Sequence, residues 1–435
     1  MSDTSGPVSE RSREFDVLLE VVRAYSHGIK PIFSSEGLAG LRWQYLAVMA
    51  AYHNVGVLAF EVLTELPHLC PADVLLDWQL LARVHSARVL ALRAQLRLLE
   101  NAFRQQGIPL LVMKGPAIAR FYRQPSLRAY GDLDLLVQPE DVSRARSVLI
   151  NTGFCTTESE HTMKSRMYLT LASEAGFFSK NTGVCVDLHW SLDYPLNRYR
   201  HIFGLAQKSK IEEGLTMLSF PVEMTLVLYL FNGWRDHWRS LSLSVDIAQI
   251  LERCPNIDWN RVFELASELH IERIVLLGLE VVRRTTRIVL PSEASRRILQ
   301  EHTIERLAST AFDQVALRLP DVGLALPYHA AISWYAQSRD SLWDSLSQIW
   351  YMSCAPKLED WEKLPLPSFF LMCTWSLLTK PFPIVGKALA RRVMGSPRLL
   401  PSDQACPYAK WTVHDVINAG NKELSRALKV ASQNP

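Results

Sequence analysis

The sequence predicts an α+β fold, in which a small mixed β-sheet core is flanked by an N-terminal and a C-terminal α-helical region. Three observations support this prediction. Apolar residues recur at helical spacing up to about residue 106, strand-like apolar runs alternate with short helices over residues 107–220, and helical spacing returns from residue 221. We therefore expect three regions, with residues 1–106 helical, 107–220 mixed α/β and 221–435 helical.

The N-terminal region shows the periodicity of helices. Its apolar residues lie three or four positions apart, which places them on one helix face. Gly107 and Pro109 follow, and both disfavour the continuation of a helix, so we expect the last helix to end near Gln106. The residues with this spacing include Trp43, Leu46, Met49, Ala50, Val89, Leu92, Leu96, Leu99 and Phe103.

The core region begins with a strand, a helix, a second strand and a second helix. Residues 108–113 form a short apolar run that predicts a buried strand, and Pro116 predicts a helix start directly after it. Residues 132–137 predict the next strand. Pro139-Glu140-Asp141 predicts the start of a helix that ends at Gly153, because acidic residues favour the first turn of a helix.

A hairpin and then further helices are expected along the rest of the chain. Residues 177–180 and 184–190 flank Asn181-Thr182-Gly183, a combination that predicts two paired strands. Pro221 stands just before the first apolar run of the C-terminal region. From about residue 320, frequent prolines and tryptophans weaken the helical spacing.

Composition and charge argue against several classes of protein. The 435 residues are 48% hydrophobic and 21% charged, which is ordinary for a soluble globular protein. The net charge of +3 is too small for a nucleic-acid scaffold or a membrane-surface protein. The seven cysteines include no Cys-x-x-Cys pair, which argues against a disulfide framework or a zinc ribbon and favours free thiols in a reducing cytoplasm.

No targeting or membrane segment is predicted. Residues 1–13 are polar and lack the basic patch and apolar run of a signal peptide. The apolar stretch at residues 365–378 is shorter than the roughly 20 residues of a spanning helix, and Pro381 and Pro383 follow it. We therefore interpret it as a buried or peripheral helix of a cytoplasmic protein.

Two aspartates on a predicted strand are the first candidates for chemistry. Because side chains alternate along a strand, Asp132 and Asp134 lie on one face, and Leu133 and Leu135 lie on the other. Carboxylates so close repel each other unless a positive charge lies between them. Mg²⁺ takes one or two carboxylates together with phosphate oxygens. Taken alone, the pair is more typical of a solvated acidic strand end or of a loop aspartate that makes a turn.

A second strand adds a third carboxylate. One of its faces carries Val184, Val186, Leu188 and Trp190, and the other carries Cys185, Asp187 and His189. An aspartate beside the first two would complete a two-metal site for phosphoryl transfer, whereas the alternative is an ordinary half-buried strand. His189 either lines the pocket or holds a local hydrogen bond.

The junction at Lys114-Gly115 is a candidate phosphate site. A helix N-terminus attracts phosphate, Gly115 allows close approach of the backbone, and Lys114 adds a positive charge. The Gly-x-x-x-x-Gly-Lys-Ser/Thr pattern of a Walker loop is absent. Arg128 has two possible roles, namely to reach a phosphate or to hold its loop by an ion pair.

Together these motifs resemble the uncharacterised nucleotidyltransferase family of the DNA-polymerase-β-like superfamily. The resemblance lies in their order and spacing, is strongest over residues 107–190 and extends more loosely over residues 41–291. The motifs that carry it are Leu110-Leu111-Val112-Met113-Lys114-Gly115, Tyr122, Arg128, Asp132-Leu133-Asp134, Pro139-Glu140-Asp141, Gly153-Phe154 and Asp187-Leu188-His189-Trp190.

The resemblance implies an enzyme that moves a nucleoside monophosphate from a nucleoside triphosphate to an acceptor hydroxyl and releases pyrophosphate, with Mg²⁺ or Mn²⁺ as cofactor. By carry-over, Asp132 and Asp134 would bind both metal ions and Asp187 the catalytic one. Nucleotide binding would fall to Lys114, Gly115 and Arg128. The alternative is a nucleotide-binding or regulatory protein that keeps the fold but catalyses weakly.

Two departures from the family pattern bear on this prediction. Lys114-Gly115 stands where most superfamily members have Gly-Ser, which removes a phosphate-binding hydroxyl. Asn232 replaces one family histidine, and the nearby His237 remains as a second candidate for the pocket beside His189. Asp246 also fits the family pattern, with a structural role in its helix as the alternative.

The acceptor is left open by the sequence. A nucleic-acid acceptor would need a basic channel with stacking aromatic residues, and the sequence shows only dispersed arginines. A small molecule, a sugar, or a peptide or protein side chain is therefore favoured. Trp190, Trp234 and Trp238 are candidates for the wall of the acceptor pocket, with plain core positions as the alternative.

Overall fold

The computed structural model describes residues 12–33, 38, 40–65, 70–156, 158–317 and 328–353. It confirms the α+β class, because a mixed seven-stranded sheet lies between two sets of helices in the chain. The predicted helix at residues 365–378 lies outside the described residues. The region boundaries at residues 106 and 220 stay a prediction.

In the described part of the chain, four N-terminal helices precede the sheet. Helix α1 begins after Ser12, whose side chain accepts a hydrogen bond from the Phe15 amide, and ends at Gly28 in the left-handed conformation. The predicted end near Gln106 is confirmed, because the last of these helices stops at Gln105. Their bounds are α1 Arg13–His27, α2 Trp43–Tyr52, α3 Gly56–Thr64 and α4 Ala72–Gln105.

The core contains the predicted strands and helices with some changes in length. The helix after Pro116 is only one turn long, and a second hairpin, β6–β7, was not predicted, because Lys208 and Lys210 interrupt its apolar pattern. The elements are β1 Leu111–Val112, α5 Pro116–Ala119, β2 Asp132–Leu136, α6 Val142–Asn151, β3 Phe154–Cys155, α7 Glu160–Lys164, α8 Arg166–Leu171, β4 Glu174–Ser179, β5 Cys185–His189, β6 Gln207–Glu212 and β7 Leu215–Ser219. Short 3₁₀ helices span Pro125–Leu127, Pro139–Asp141, Leu196–Arg198 and Arg200–Leu205.

The order of the strands brings the two acidic strands together. Across the sheet the order is β3-β4-β5-β2-β1-β7-β6, so β2 and β5 are neighbours. They pair in parallel, with Asp134 opposite Asp187, whereas β4 and β5 form the predicted antiparallel hairpin. The predicted alternation of faces on β5 is confirmed, since Val186 and Leu188 are fully buried.

The helices after the sheet form the C-terminal region. Up to residue 353, the described ones are α9 Val222–Arg235, α10 Leu241–Arg253, α11 Trp259–Glu268, α12 Glu272–Thr286, α13 Ser292–Gln300, α14 His302–Leu317, α15 Tyr328–Gln337 and α16 Leu342–Ser353. Pro221 precedes α9, as the sequence predicts. Among the described residues, none of the helices has both the length and the apolar character needed to cross a membrane.

Two hydrophobic clusters position the sheet. One joins the N-terminal and C-terminal helices, with Phe15 and Leu18 of α1 in the same cluster as Val245 of α10. The other packs the apolar face of β2 and β5 against α6 and the second half of α4. The opposite, acidic face of these strands is therefore left to meet the C-terminal helices.

Candidate active site

Three aspartates lie on the same face of two neighbouring strands. Asp132 and Asp134 alternate with fully buried Leu133 on β2, and Asp187 lies directly opposite Asp134 on β5. Because the strands are parallel and in register, the side chains of opposed residues point to the same side of the sheet. The structure thus brings together the three carboxylates that the sequence singles out.

Lys114 supplies a positive charge to this face. The Met113 amide donates a hydrogen bond to the Asp134 carbonyl oxygen, which places the next residue beside β2. The Lys114 ammonium then donates to Asp134 Oδ1 at 2.9 Å. Burial would lower the pKa of Lys114, but the charge of Asp134, the hydrogen bond to it and the charge of Asp193 together raise that pKa. Lys114 is therefore a cation held at the acidic cluster.

Gly115 has a backbone conformation that favours glycine, with φ 53° and ψ −111°. A Cβ atom at this position would lie 3.3 Å from Cδ2 of Tyr130 and 3.4 Å from the Asp132 carbonyl oxygen. The glycine therefore lets the turn after Lys114 pack closely against the start of β2. Its predicted role toward phosphate stays a prediction.

His189 is held between two carboxylates. Its Nε2 lies 3.2 Å from Asp134 Oδ1, and its Nδ1 lies 3.0 Å from Oε2 of Glu174 on β4. Burial alone would lower the pKa of His189, but the hydrogen bonds to Asp134 and Glu174 raise it to about 9. The protonated ring can therefore donate a hydrogen bond from each of its two nitrogens. Of the two roles predicted for His189, these contacts support the local hydrogen bond.

The three aspartates differ in the direction in which the fold shifts the pKa of their carboxyl groups. Burial would raise the pKa of Asp134, but Lys114 and His189 hold it well below its usual range. Burial and the charges of Asp132 and Asp134 raise the pKa of Asp187 to about 6, and burial and Asp134 also raise the pKa of Asp132. Asp132 and Asp187 thus lie where an added positive charge would relieve repulsion.

Arg128 forms a buried ion pair. Its Nε and Nη2 donate to the two oxygens of Asp246 on α10 at 2.8 and 2.9 Å, and its Nη1 donates to the Gly115 carbonyl oxygen at 3.2 Å. Tyr122 Oη also donates to Asp246, at 2.7 Å. These contacts support the role of Arg128 in holding its loop and a structural role for Asp246.

An open cleft of about 920 Å³ lies over the acidic face, within the size range of ligand pockets. Lys114, Gly115, Arg128, Asp132, Asp134 and Asp187 all line it, together with Trp234. A small adjoining cavity of about 30 Å³ is lined by Lys114, His189, Asn232 and Arg235, among others. The cleft therefore gathers most of the predicted site residues around one volume.

The remaining predicted pocket residues lie in the packing around the cleft. His237 packs against the rings of Trp334 and Tyr335, with centroid distances of 5.8 and 4.9 Å. Trp190 and Trp238 are buried in the core. Of the three candidate tryptophans, Trp234 is the one that contributes to the lining of the cleft.

Three residues of the site were missed in the sequence. Glu174 lies opposite His189 in the strand register, and Asp193 forms an ion pair with Arg235 at the end of α9. Arg235 also lies near enough to Lys114 for its positive charge to repel the ammonium, an effect that acts to lower the pKa of Lys114. A basic residue in the last turn of α9, directly before Asp236, was the available signal for Arg235.

The donor chemistry of the site suits a hard divalent cation. Mg²⁺ prefers carboxylate oxygens, and three carboxylates share this face. Within the described residues, no three His, Cys, Asp or Glu side chains already form a metal-binding group. Asp134 Oδ1 already contacts two cationic side chains, Lys114 and His189. The residue types therefore fit a cation, and the repulsion at Asp132 and Asp187 favours one.

Comparison with known proteins gives one family. The family model described as uncharacterised nucleotidyltransferase matches residues 39–287, which is more than half of the chain and agrees with the extent of the resemblance seen in the sequence. The search of curated proteins gives no match. The matched range holds every predicted site residue from Lys114 to His237, and the chain belongs to the uncharacterised nucleotidyltransferase family.

Proposed function

We propose that this protein transfers a nucleoside monophosphate from a nucleoside triphosphate to an acceptor hydroxyl and releases pyrophosphate. The observation that carries the proposal is the opposition of Asp134 and Asp187 on neighbouring parallel strands, with Asp132 on the same face and Lys114 beside them. Membership of the family supports nucleotidyl transfer in general. The acceptor, the metal requirement and the leaving group are our proposals.

We propose that Asp132, Asp134 and Asp187 hold Mg²⁺ or Mn²⁺. When bound, such an ion supplies Lewis-acid stabilisation of negative charge on the phosphate oxygens. Support comes from the pKa values of Asp132 and Asp187, which burial and then the neighbouring carboxylates raise. Activity should therefore disappear with a chelator and return when either cation is restored.

The side chains of the site would then perform distinct tasks. The acceptor oxygen attacks the α-phosphorus, the bond to the β-phosphate breaks and pyrophosphate leaves, and the acceptor proton passes to the Asp187 carboxylate. Lys114 and Arg235 are the cations placed to attract the triphosphate. His189 keeps Asp134 oriented. Catalysis of this kind depends mostly on positioning and electrostatics.

The charge of the cleft supports an acceptor other than nucleic acid. Its lining contains more acidic than basic residues, and a polyanionic backbone is normally bound by arginine and lysine. We therefore propose a small molecule, a sugar, or a peptide or protein side chain. The acidic residues are Asp132, Asp134, Glu174, Asp187, Asp193, Asp236 and Asp246, and the basic residues are Lys114, Arg128 and Arg235.

The test incubates the protein with each α-labelled nucleoside triphosphate, Mg²⁺ or Mn²⁺, and a cell extract that supplies the acceptor. We expect transfer of label by the wild type and none by the double variant Asp132→Asn plus Asp134→Asn. Asp313→Asn is the matched control, because Asp313 is exposed on α14 and does not line the cleft. Full transfer by the double variant would contradict the proposal. Metal-dependent binding of nucleotide by the wild type without transfer would favour the weakly catalytic, regulatory alternative.

A further inference from the structure

Two tyrosine rings are stacked on each other at the cleft. The ring centroids of Tyr194 and Tyr351 lie 3.9 Å apart, and the ring planes differ by 7°. Both residues line the cleft that contains Asp132 and Asp187. Tyr194 follows β5, whereas Tyr351 belongs to α16, and the hydroxyl of Tyr194 lies 2.6 Å from the Ser347 hydroxyl. The stack is thus fixed from two separate elements of the fold.

A buried amide lies beside this stack. Gln348 precedes Tyr351 by three positions on α16, a spacing that puts both on one helix face. Gln348 is 4% exposed and lines the cleft, and its Oε1 has no hydrogen-bond partner in the described part of the chain. Buried polar atoms are normally hydrogen-bonded, so an amide oxygen without a partner at a cleft is available to a group on a ligand.

We propose that Tyr194, Tyr351 and Gln348 form the subsite for the base of the nucleoside triphosphate. The inference rests on the proposed function, because a nucleotide donor brings a planar ring whatever the acceptor is. The base extends the tyrosine stack, and the carboxamide of Gln348, which can both donate and accept, pairs with the edge of the base. Stacking tolerates every base, so the tyrosines supply affinity and Gln348 supplies preference among bases.

This subsite lies partly outside the region that the family model covers. Tyr194 falls within residues 39–287, but Gln348 and Tyr351 lie beyond them on α16. The carboxylates of the sheet and the groups that would recognise the base therefore come from different parts of the chain. Nucleotide preference can then change through α16 without any change at the acidic strands.

The test compares the Kd values of the four nucleoside triphosphates with that of inorganic tripolyphosphate, which has no base, in the presence of Mg²⁺. We expect Tyr351→Leu to weaken each nucleotide about tenfold and to leave tripolyphosphate within about twofold, while Tyr351→Phe restores binding because it keeps the ring. Trp343→Leu is the matched control, because Trp343 is an aromatic residue of the same helix that is 81% exposed. Gln348→Leu should alter the ranking of the four nucleotides without affecting tripolyphosphate.

The possible results distinguish a failure of the base subsite from a failure of the proposed function. Nucleotide binding unchanged in Tyr351→Leu, or an equal loss for nucleotide and tripolyphosphate, would overturn the base subsite and leave the proposed function standing. A wild-type protein that binds neither probe would overturn both. Tyr194→Leu, which removes the other ring of the stack from a different element, provides the same comparison if Tyr351→Leu does not fold.

Discussion

At the scale of single residues, the folded protein disfavours the ionised form of the Asp187 carboxyl. Burial and the neighbouring aspartates raise its pKa from a usual value of 3.8 to about 6. The folded state therefore binds the proton more tightly than the unfolded state, so stability is lost as the pH rises from about 4 through about 6. Two pKa units correspond to about 3 kcal/mol. We expect Asp187→Asn to raise the free energy of unfolding by up to about 3 kcal/mol at pH 7 in a chelator, while abolishing transfer.

Urea unfolding of Asp187→Asn and the wild type, both in a chelator, checks this prediction. The gain in stability should be present at pH 7.5 and small near pH 3, where the wild-type carboxyl is mostly protonated in both states. Asp313→Asn is the matched control, because its side chain is exposed. A variant that is less stable than the wild type at neutral pH would show that Asp187 has a favourable partner in the folded protein.

Gly115 carries a second prediction at this scale. Its φ of 53° with ψ −111° is a combination that an alanine adopts only with strain, and a Cβ would press on Tyr130 and the Asp132 carbonyl. We expect Gly115→Ala to lower the free energy of unfolding by about 1–3 kcal/mol and to reduce transfer through displacement of β2. Gly204→Ala is the matched control, because a Cβ there meets nothing within 4 Å. Equal thermal stability of the two variants would contradict the argument.

At the scale of elements, the Arg128–Asp246 pair joins the loop before β2 to α10. Removal of one partner leaves a buried charge without compensation, which typically costs about 3–5 kcal/mol. We therefore expect Asp246→Leu and Arg128→Met each to lower the melting temperature strongly, and the double variant to recover much of the loss. Thermal unfolding in a double-mutant cycle measures this coupling. Strictly additive losses would mean that the two side chains act independently in spite of their bidentate contact.

The same scale shows why part of the site is predictable from the sequence. The alternation of side chains along a strand is a local property, so the faces of Asp132, Asp134 and Asp187 follow from their positions. The hairpin turn at residues 181–183 is equally local and was predicted correctly. The pairing of β2 with β5 is not local, and here the resemblance to a family supplied what the spacing alone left open.

Other site residues lie beyond this kind of reasoning. Helical spacing shows which face of a helix is buried but not which element that face meets, so Arg235, Gln348 and Tyr351 could not be assigned to the cleft. Glu174 was missed because the predicted strand began at residue 177, three positions too late. The choice between an ion pair and a phosphate contact for Arg128 also needed the position of Asp246 on α10.

At the scale of the whole molecule, the cleft lies between the sheet and the C-terminal helices. Helix α15 is tied to the end of α9, because Tyr335 Oη donates to the Arg235 carbonyl oxygen at 2.8 Å and Trp334 Nε1 donates to that of Trp234 at 3.3 Å. Helix α16 follows α15 and carries Tyr351. A nucleotide bound through both the acidic face and the tyrosine stack would therefore link β2 to α16, more than 200 residues apart in the sequence.

This link predicts the pattern of amide hydrogen exchange. A ligand present at 100 times its Kd stabilises the bound state by about 2.7 kcal/mol, so openings that release it become about 100-fold rarer. We expect a nucleoside triphosphate with Mg²⁺ to slow amide exchange at both β2 and α16. Tripolyphosphate should slow exchange at β2 and leave exchange at α16 unchanged. In Tyr351→Leu the nucleotide should still protect β2 but should protect α16 less, because the stack is lost and only Gln348 still connects the base to that helix. Protection of α16 by tripolyphosphate in the wild type would instead show that the helix responds to phosphate binding and not to the base.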